Sequence, residues 1–167
     1  MESGVLGNLL APFGRGLFVI VDRNINLINE TQIIYSYLWP ITCNNNNCLI
    51  KKKHNSLCGD EVTLQIFFNA GFINSIRHET KGCSIICASS SIMSISLSNQ
   101  TFAQSLNIIN NFINMLQKKS FDISVLGSDL LLFEAITNIP NKLNCTIIPW
   151  LLALDLIQNY FNNVKLS

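Results

Sequence analysis

The hydrophobic rhythm of this chain changes once, near residue 83, from a period of two to a period between three and four. Val62, Leu64, Ile66 and Phe68 alternate with Thr63, Gln65 and Phe67, as in a strand with one buried face. Asn69-Ala70-Gly71 then reads as a turn, and Phe72 to Glu79 as an antiparallel return. Upstream, Leu49 and Ile50 open a strand that runs on through Lys51 to His54. Beyond Cys83, the residues Ile85, Ala88, Ile92 and Ile95 fall on one helical stripe, with Ser89, Ser90 and Ser91 small enough for close helix packing. Leu106, Ile109, Phe112, Ile113 and Leu116 form a second stripe, and Lys118-Lys119 suit its C-terminal dipole. A third helix is expected over Asp129 to Thr137. The last, opened by Cys145, carries Ile147, Trp150, Leu151, Leu154, Ile157 and Phe161 on one broad face. Strands first and helices after predict an α+β fold: a small three-stranded antiparallel sheet with helices packed on one face.

The N-terminal part is different. Gly4, Gly7, Pro12, Gly14 and Gly16 interrupt every period in residues 1–24, which read as an irregular arm with a short strand at Leu17 to Val21. Residues 25–167 read as a single domain, beginning with a helix that uses Ile28, Ile33, Ile34 and Leu38 and ends by Pro40. Asn44 to Asn47 is a low-complexity loop.

Composition narrows the function. The chain has 167 residues, 49% of them hydrophobic and 13% charged, with a net charge of +1. That balance gives no electrostatic case for nucleic acid or an anionic membrane. No run approaches the roughly 18 apolar residues that span a bilayer. Glu2 stands where a secretory signal would have a basic region, so a cytoplasmic location is expected. In that reducing setting, six cysteines favour metal or catalysis over disulfides.

Three of the six stand out. Cys58 lies in a Gly-containing loop with Asp60 two residues on, and Cys83 and Cys145 are each expected just before a helix. A helix N-terminus favours thiolate over thiol, which serves metal ligation and nucleophilic attack alike. Three thiols and a carboxylate also make a tetrahedral ligand set for a soft divalent metal. Yet separations of 25 and 62 residues are not those of a zinc finger. Spacing alone leaves metal ligation, thiol chemistry and buried structural cysteine all open.

The segments around these cysteines resemble the three cysteine motifs of the NifU/IscU/SufU family of iron–sulfur assembly proteins. Cys58-Gly59-Asp60-Glu61-Val62 resembles the first, and the run Gly82-Cys83-Ser84-Ile85 leading through Cys87 and Ser89 to Met93 resembles the second. Ile139-Pro140-Asn141-Lys142-Leu143-Asn144-Cys145, followed by Trp150, is similar to the third. The likeness covers roughly residues 48–162, and the long gap before Cys145 points to the SufU type. The pattern departs from that type at Lys142 and Asn144, where Arg and Lys are usual. Lys142 keeps the charge without the bidentate fork, and Asn144 has none. Tyr35 to Pro40 is a degraded echo of a His-Tyr-x-Asn-Pro-like segment.

The resemblance implies a SufE/NifU-like fold and one zinc ion held by Cys58, Asp60, Cys83 and Cys145. It further implies that Cys58 accepts persulfide sulfur from a cysteine desulfurase of the SufS kind, after a histidine of that partner replaces it on zinc, and passes sulfur on to downstream scaffold or acceptor proteins. Two alternatives stand beside this zinc-dependent sulfurtransferase. One is an IscU-like scaffold that builds and releases a transient [2Fe–2S] cluster on the same iron-binding thiolates, and the other is a purely structural zinc domain. The remaining features read blandly: Cys87 as small core packing, with approach to the site as the sharper alternative, Trp150 as core, Cys43 and Cys48 as cysteines flanking the Asn run, with a second metal site as the sharper alternative, and His54 and His78 as strand or surface positions rather than ligands. Lys51-Lys52-Lys53 reads as a solvated face, with attraction of an acidic partner as the sharper alternative.

Overall fold

Strand β1 (Cys48–Asn55), strand β2 (Asp60–Asn69) and strand β3 (Phe72–Lys81) form an antiparallel meander, as the alternation predicts. The structure is a computed structural model and describes residue 43, residues 47–56 and residues 58–165. The arm expected over residues 1–24, the strand at Leu17 to Val21, the helix through Leu38 and the Tyr35 to Pro40 segment lie outside them. Among the described residues the sheet has four strands in the order β1-β2-β3-β4. The fourth, β4 (Gln100–Thr101), pairs with the start of β3 and was not expected, because two residues carry no periodicity.

The turn between β2 and β3 has positive φ at both Ala70 (45°) and Gly71 (90°). This backbone matches the right-handed twist of the strands it joins. Val62, Leu64 and Ile66 share the helix-facing side of β2 and are fully buried. Burial on that scale stabilises by about 1.5–3 kcal/mol per side chain. Between Phe67 and Phe68 the register shifts, leaving Asn74 over on β3 and bringing buried Phe68 opposite buried Ile73.

Helix α1 (Ser84–Leu97) lies against β3, and helix α2 (Phe102–Leu116) follows β4. A capping box starts α2: Thr101 Oγ1 accepts from the Gln104 N–H, and the Gln104 side chain accepts from the Thr101 N–H. The helix expected over Asp129 to Thr137 is a single α turn, α3 (Ser128–Leu131), that tightens into a 3₁₀ segment (Leu132–Asn138). Helix α4 (Pro140–Lys165) is the spine of the helical layer, touching α1, α2, β1 and β2. Trp150 stacks on Phe112 of α2 at 4.2 Å, and Tyr160 stacks on Phe68 of β2 at 3.9 Å. Among the described residues, α1, α2 and α4 pack against the sheet, which is the α+β layering predicted. The N-termini of α1 and α4 and the β1–β2 turn converge at one edge of this packing.

Candidate metal centre

The site is built from a hairpin end and two helices. Asn55 and Asp60 are the last cross-strand pair of β1 and β2. The backbone carbonyl of Asn55 accepts from the N–H groups of Cys58 (3.3 Å) and Gly59 (2.8 Å). Gly59 takes φ +70°, a left-handed conformation that glycine adopts without steric cost. This turn leaves Cys58 exposed at the hairpin tip while Asp60, two residues on, is only 3% exposed.

Asp60 reaches across to the second motif. Its Oδ1 accepts from the backbone N–H of Cys83 at 3.1 Å, and the Cys83 thiol lies 3.6 Å from Oδ2. Cys83 is the N-cap of α1, as the sequence suggested, so the carboxylate also faces the positive end of the helix dipole. Gly82 explains itself here. A Cβ at that position would collide with Asp60 Oδ1 and lie 2.6 Å from its Cγ, and φ is +156°. Only glycine lets strand end, carboxylate and helix start come this close.

Cys145 is placed differently from expectation. The last helix starts at Pro140, not at Cys145, because proline's fixed φ suits the first helical position. Cys145 is therefore inside α4, fully buried, and does not cap a helix. Its Sγ lies 3.6 Å from Cys58 Sγ and receives an N–H from Asn55 Nδ2 at 3.6 Å. Burial, followed by the proximity of Asp60, Cys58 and Cys83, pushes this thiol well above its ordinary pKa. Without a cation, the polypeptide alone disfavours the thiolate that the helix-terminus argument predicted there.

The donors fit a soft cation. One donor atom each from Cys58, Asp60 and Cys145 lies within 4.8 Å of the others, and Cys83 joins them through Asp60. Tetrahedral zinc with metal–sulfur bonds of about 2.3 Å separates its ligands by about 3.8 Å. Among the described residues no lysine, arginine or histidine forms an ion pair with Asp60. A buried carboxylate among three thiols and without a cationic partner is the charge pattern a bound cation completes.

A buried hydrogen-bonded clamp holds the two helices in register. Trp150 Nε1 donates to Ser89 Oγ at 3.0 Å, and that hydroxyl donates to the carbonyl of Thr146 at 2.6 Å. Ser89, Thr146 and Trp150 are all fully buried. Since Thr146 follows Cys145, and Ser89 sits in the second turn after Cys83, the clamp fixes one sulfur against the other. The sequence suggested only close packing for Ser89 and core for Trp150. It gave no sign of Asn55 beyond an asparagine closing a strand of exposed residues.

Cys87 comes nearer the site than core packing implies. It is half-buried one turn after Cys83, and burial, then the charges of Cys83 and Asp60, raise its pKa. Cys43 and Cys48 form a disulfide with a Cα separation of 5.5 Å, contrary to the expectation that these cysteines stay unpaired. Proximity decides this: the strand start folds Cys48 back to Cys43, at the end of β1 away from Asn55 and the site. Neither histidine joins the cluster. His54 pairs with Glu61 at 3.3 Å on the outer side of the sheet. His78 stands opposite Leu64 and bonds Thr80, and desolvation lowers its pKa to about 4.

Comparison with known proteins agrees with the geometry. A family model described as the NifU-like N terminal domain matches residues 42–146. The zinc-dependent sulfurtransferase SufU of Bacillus subtilis is 25% identical over 105 residues, which are 63% of this chain and 71% of that protein. The iron–sulfur cluster assembly scaffold protein IscU of Thermotoga maritima is 28% identical over 102 residues, covering 61% and 71%. A crystal structure from Fervidobacterium islandicum, assigned as a SUF-system iron–sulfur cluster assembly scaffold, superposes with a TM-score of 0.59 at 32% identity. It covers 72% of this chain and 89% of that one. Cys58, Asp60, Cys83 and Cys145 all lie within the matched span, and the chain belongs to the NifU-like N-terminal domain family.

Proposed function

We propose that this protein accepts and transfers sulfur for iron–sulfur cluster assembly, with Cys58, Asp60, Cys83 and Cys145 holding one zinc ion and Cys58 as the acceptor thiol. The observation that carries this reading is the convergence of one exposed thiol with a buried carboxylate and two less accessible thiols. Zinc, when bound, keeps coordinated thiols deprotonated at neutral pH. Asp60 and Cys83 are tied together through the Cys83 N–H, and Cys145 is locked within α4, so these three form the fixed part of the site. Cys58 sits on a hairpin tip and moves with little repacking.

The donor is the persulfide of a cysteine desulfurase. The Cys58 thiolate attacks its outer sulfur, the donor's sulfur–sulfur bond breaks, and the donor thiolate leaves with the electron pair. Cys58 then carries the persulfide to a downstream scaffold or acceptor. The pyridoxal phosphate chemistry that makes the persulfide belongs to the desulfurase. The three thiols of the site, Cys58, Cys83 and Cys145, are free, and the Cys43–Cys48 disulfide lies at the other end of β1. Among the described residues no helix is long and apolar enough to cross a membrane.

A second reading treats the same donors as a scaffold for a transient [2Fe–2S] cluster. The carboxylate favours it, since an aspartate among thiolates makes for a labile, releasable cluster. Metal analysis of protein purified from iron-replete cells separates the two. One zinc per chain without visible absorption supports transfer, and iron with acid-labile sulfide and a brown colour supports the scaffold.

A further inference from the structure

We infer that Asn55 is the positioning residue of this centre, holding Cys145 by an amide-to-sulfur hydrogen bond while its own carbonyl carries the Cys58 turn. This rests on the metal-site reading and deepens it. Residues Ile50 to His54 of β1 are all exposed, and the next residue, Asn55, is only 5% exposed. A polar amide is buried at little cost only where it is hydrogen-bonded. Its Nδ2 lies 3.6 Å from Cys145 Sγ, within the range of an N–H···S bond.

Three donors meet at this one residue. The Asn55 carbonyl accepts from Cys58 and Gly59, its strand partner is Asp60, and its side chain reaches Cys145. The amide is a neutral donor, so it draws charge from the sulfur without adding a cation that would compete with the metal. The reversed orientation would aim Oδ1 at an electron-rich sulfur and is disfavoured for that reason. Coupling of this kind lets Cys58 leave the cluster while Cys145 stays anchored to the base of the same turn. Outer partners of metal ligands commonly change metal affinity 10- to 100-fold.

The test is proton–cadmium correlation NMR on the full chain loaded with cadmium-113. A bound cadmium, in one-to-one ratio, reports the metal site independently of Asn55. A cross peak between the Asn55 side-chain amide protons and the cadmium, transmitted through the Cys145 sulfur, is expected. Asn55→Leu keeps the backbone carbonyl and removes the donor. It should abolish the cross peak, shift the cadmium resonance and weaken zinc affinity about 10- to 100-fold, and Asn55→Ser should recover part of that affinity. Cadmium bound normally, with no cross peak in wild type and an unchanged resonance in Asn55→Leu, would overturn the inference. If cadmium does not bind, the metal reading fails by itself. Asn55 is then judged in the metal-free protein, where its side-chain amide resonances should move on Cys145→Ala and hold still on Cys83→Ala. Equal or absent movement would refute the contact. If Asn55→Leu fails to fold, the wild-type cross peak and the serine variant decide.

Discussion

Gly82→Ala should disable the metal centre while leaving the fold in place. The new Cβ would meet Asp60 Oδ1, Cγ and Cβ at once, the last two at 2.6 and 2.8 Å. Ordinary contact needs about 3.5–4.0 Å, so the carboxylate must retreat by about 1 Å. The 3.1 Å bond from the Cys83 N–H then exceeds hydrogen-bond range. A hydrogen bond to a charged group contributes about 1.5–3 kcal/mol, which corresponds to a drop of about ten- to a hundredfold in zinc affinity. Alanine at the φ of +156° adds backbone strain of about 1–3 kcal/mol, visible as a lower melting temperature of the metal-free protein. Zinc affinity is read by competition with a chromophoric chelator, and the fold by circular dichroism. Gly59→Ala is the control: φ is also positive, but a Cβ there meets nothing within 4 Å. It should lose stability and keep most of its zinc affinity. Zinc affinity in Gly82→Ala within twofold of wild type, or an equal loss in both variants, would refute the steric argument.

Three further outcomes are expected. Ser89→Ala strands the buried Trp150 Nε1–H and should cost about 1–3 kcal/mol in denaturant unfolding, whereas Ser90→Ala, which loses only a bond back to Ile86 of its own helix, should be nearly neutral. Asp60→Ala should weaken zinc binding with all three thiols intact and accelerate metal release to a chelator; an unchanged off-rate would place Asp60 outside the coordination sphere. His78 is held at a pKa of about 4, below its ordinary 6.5, so the unfolded chain binds more protons between these values. Its contribution, about 3 kcal/mol at most, should be intact above about pH 6.5 and decline as pH falls toward 4. His78→Gln should flatten that part of the pH–stability curve measured on metal-free protein.

The sequence reveals most where burial imposes a period. Val62 to Phe68 show alternation because one face of β2 packs on helices and the other does not, and Gly71 marks the turn by its tolerance of positive φ. The three cysteine motifs and Asp60 are recognisable because their local residues are themselves required: Gly59 for the turn, Gly82 for the approach of Asp60. Cys145 was misplaced relative to its helix because the first turn of α4, Pro140 to Leu143, is largely outside the core and carries no apolar stripe. Asn55 and the Ser89–Trp150–Thr146 clamp were invisible for another reason. Their roles depend on partners 57 to 90 residues away, and nothing local distinguishes them from an ordinary strand end or a small packing residue.

Mapping where sulfur first arrives tests the central claim most directly. The protein would be incubated with a cysteine desulfurase and free cysteine, quenched with an alkylating agent, and its cysteine peptides weighed by mass spectrometry. The account predicts a mass increase of one sulfur on the Cys58 peptide, absent without the desulfurase, and no sulfur acceptance by Cys58→Ala. Sulfur found mainly on Cys145, with Cys58→Ala still accepting it, would contradict the account.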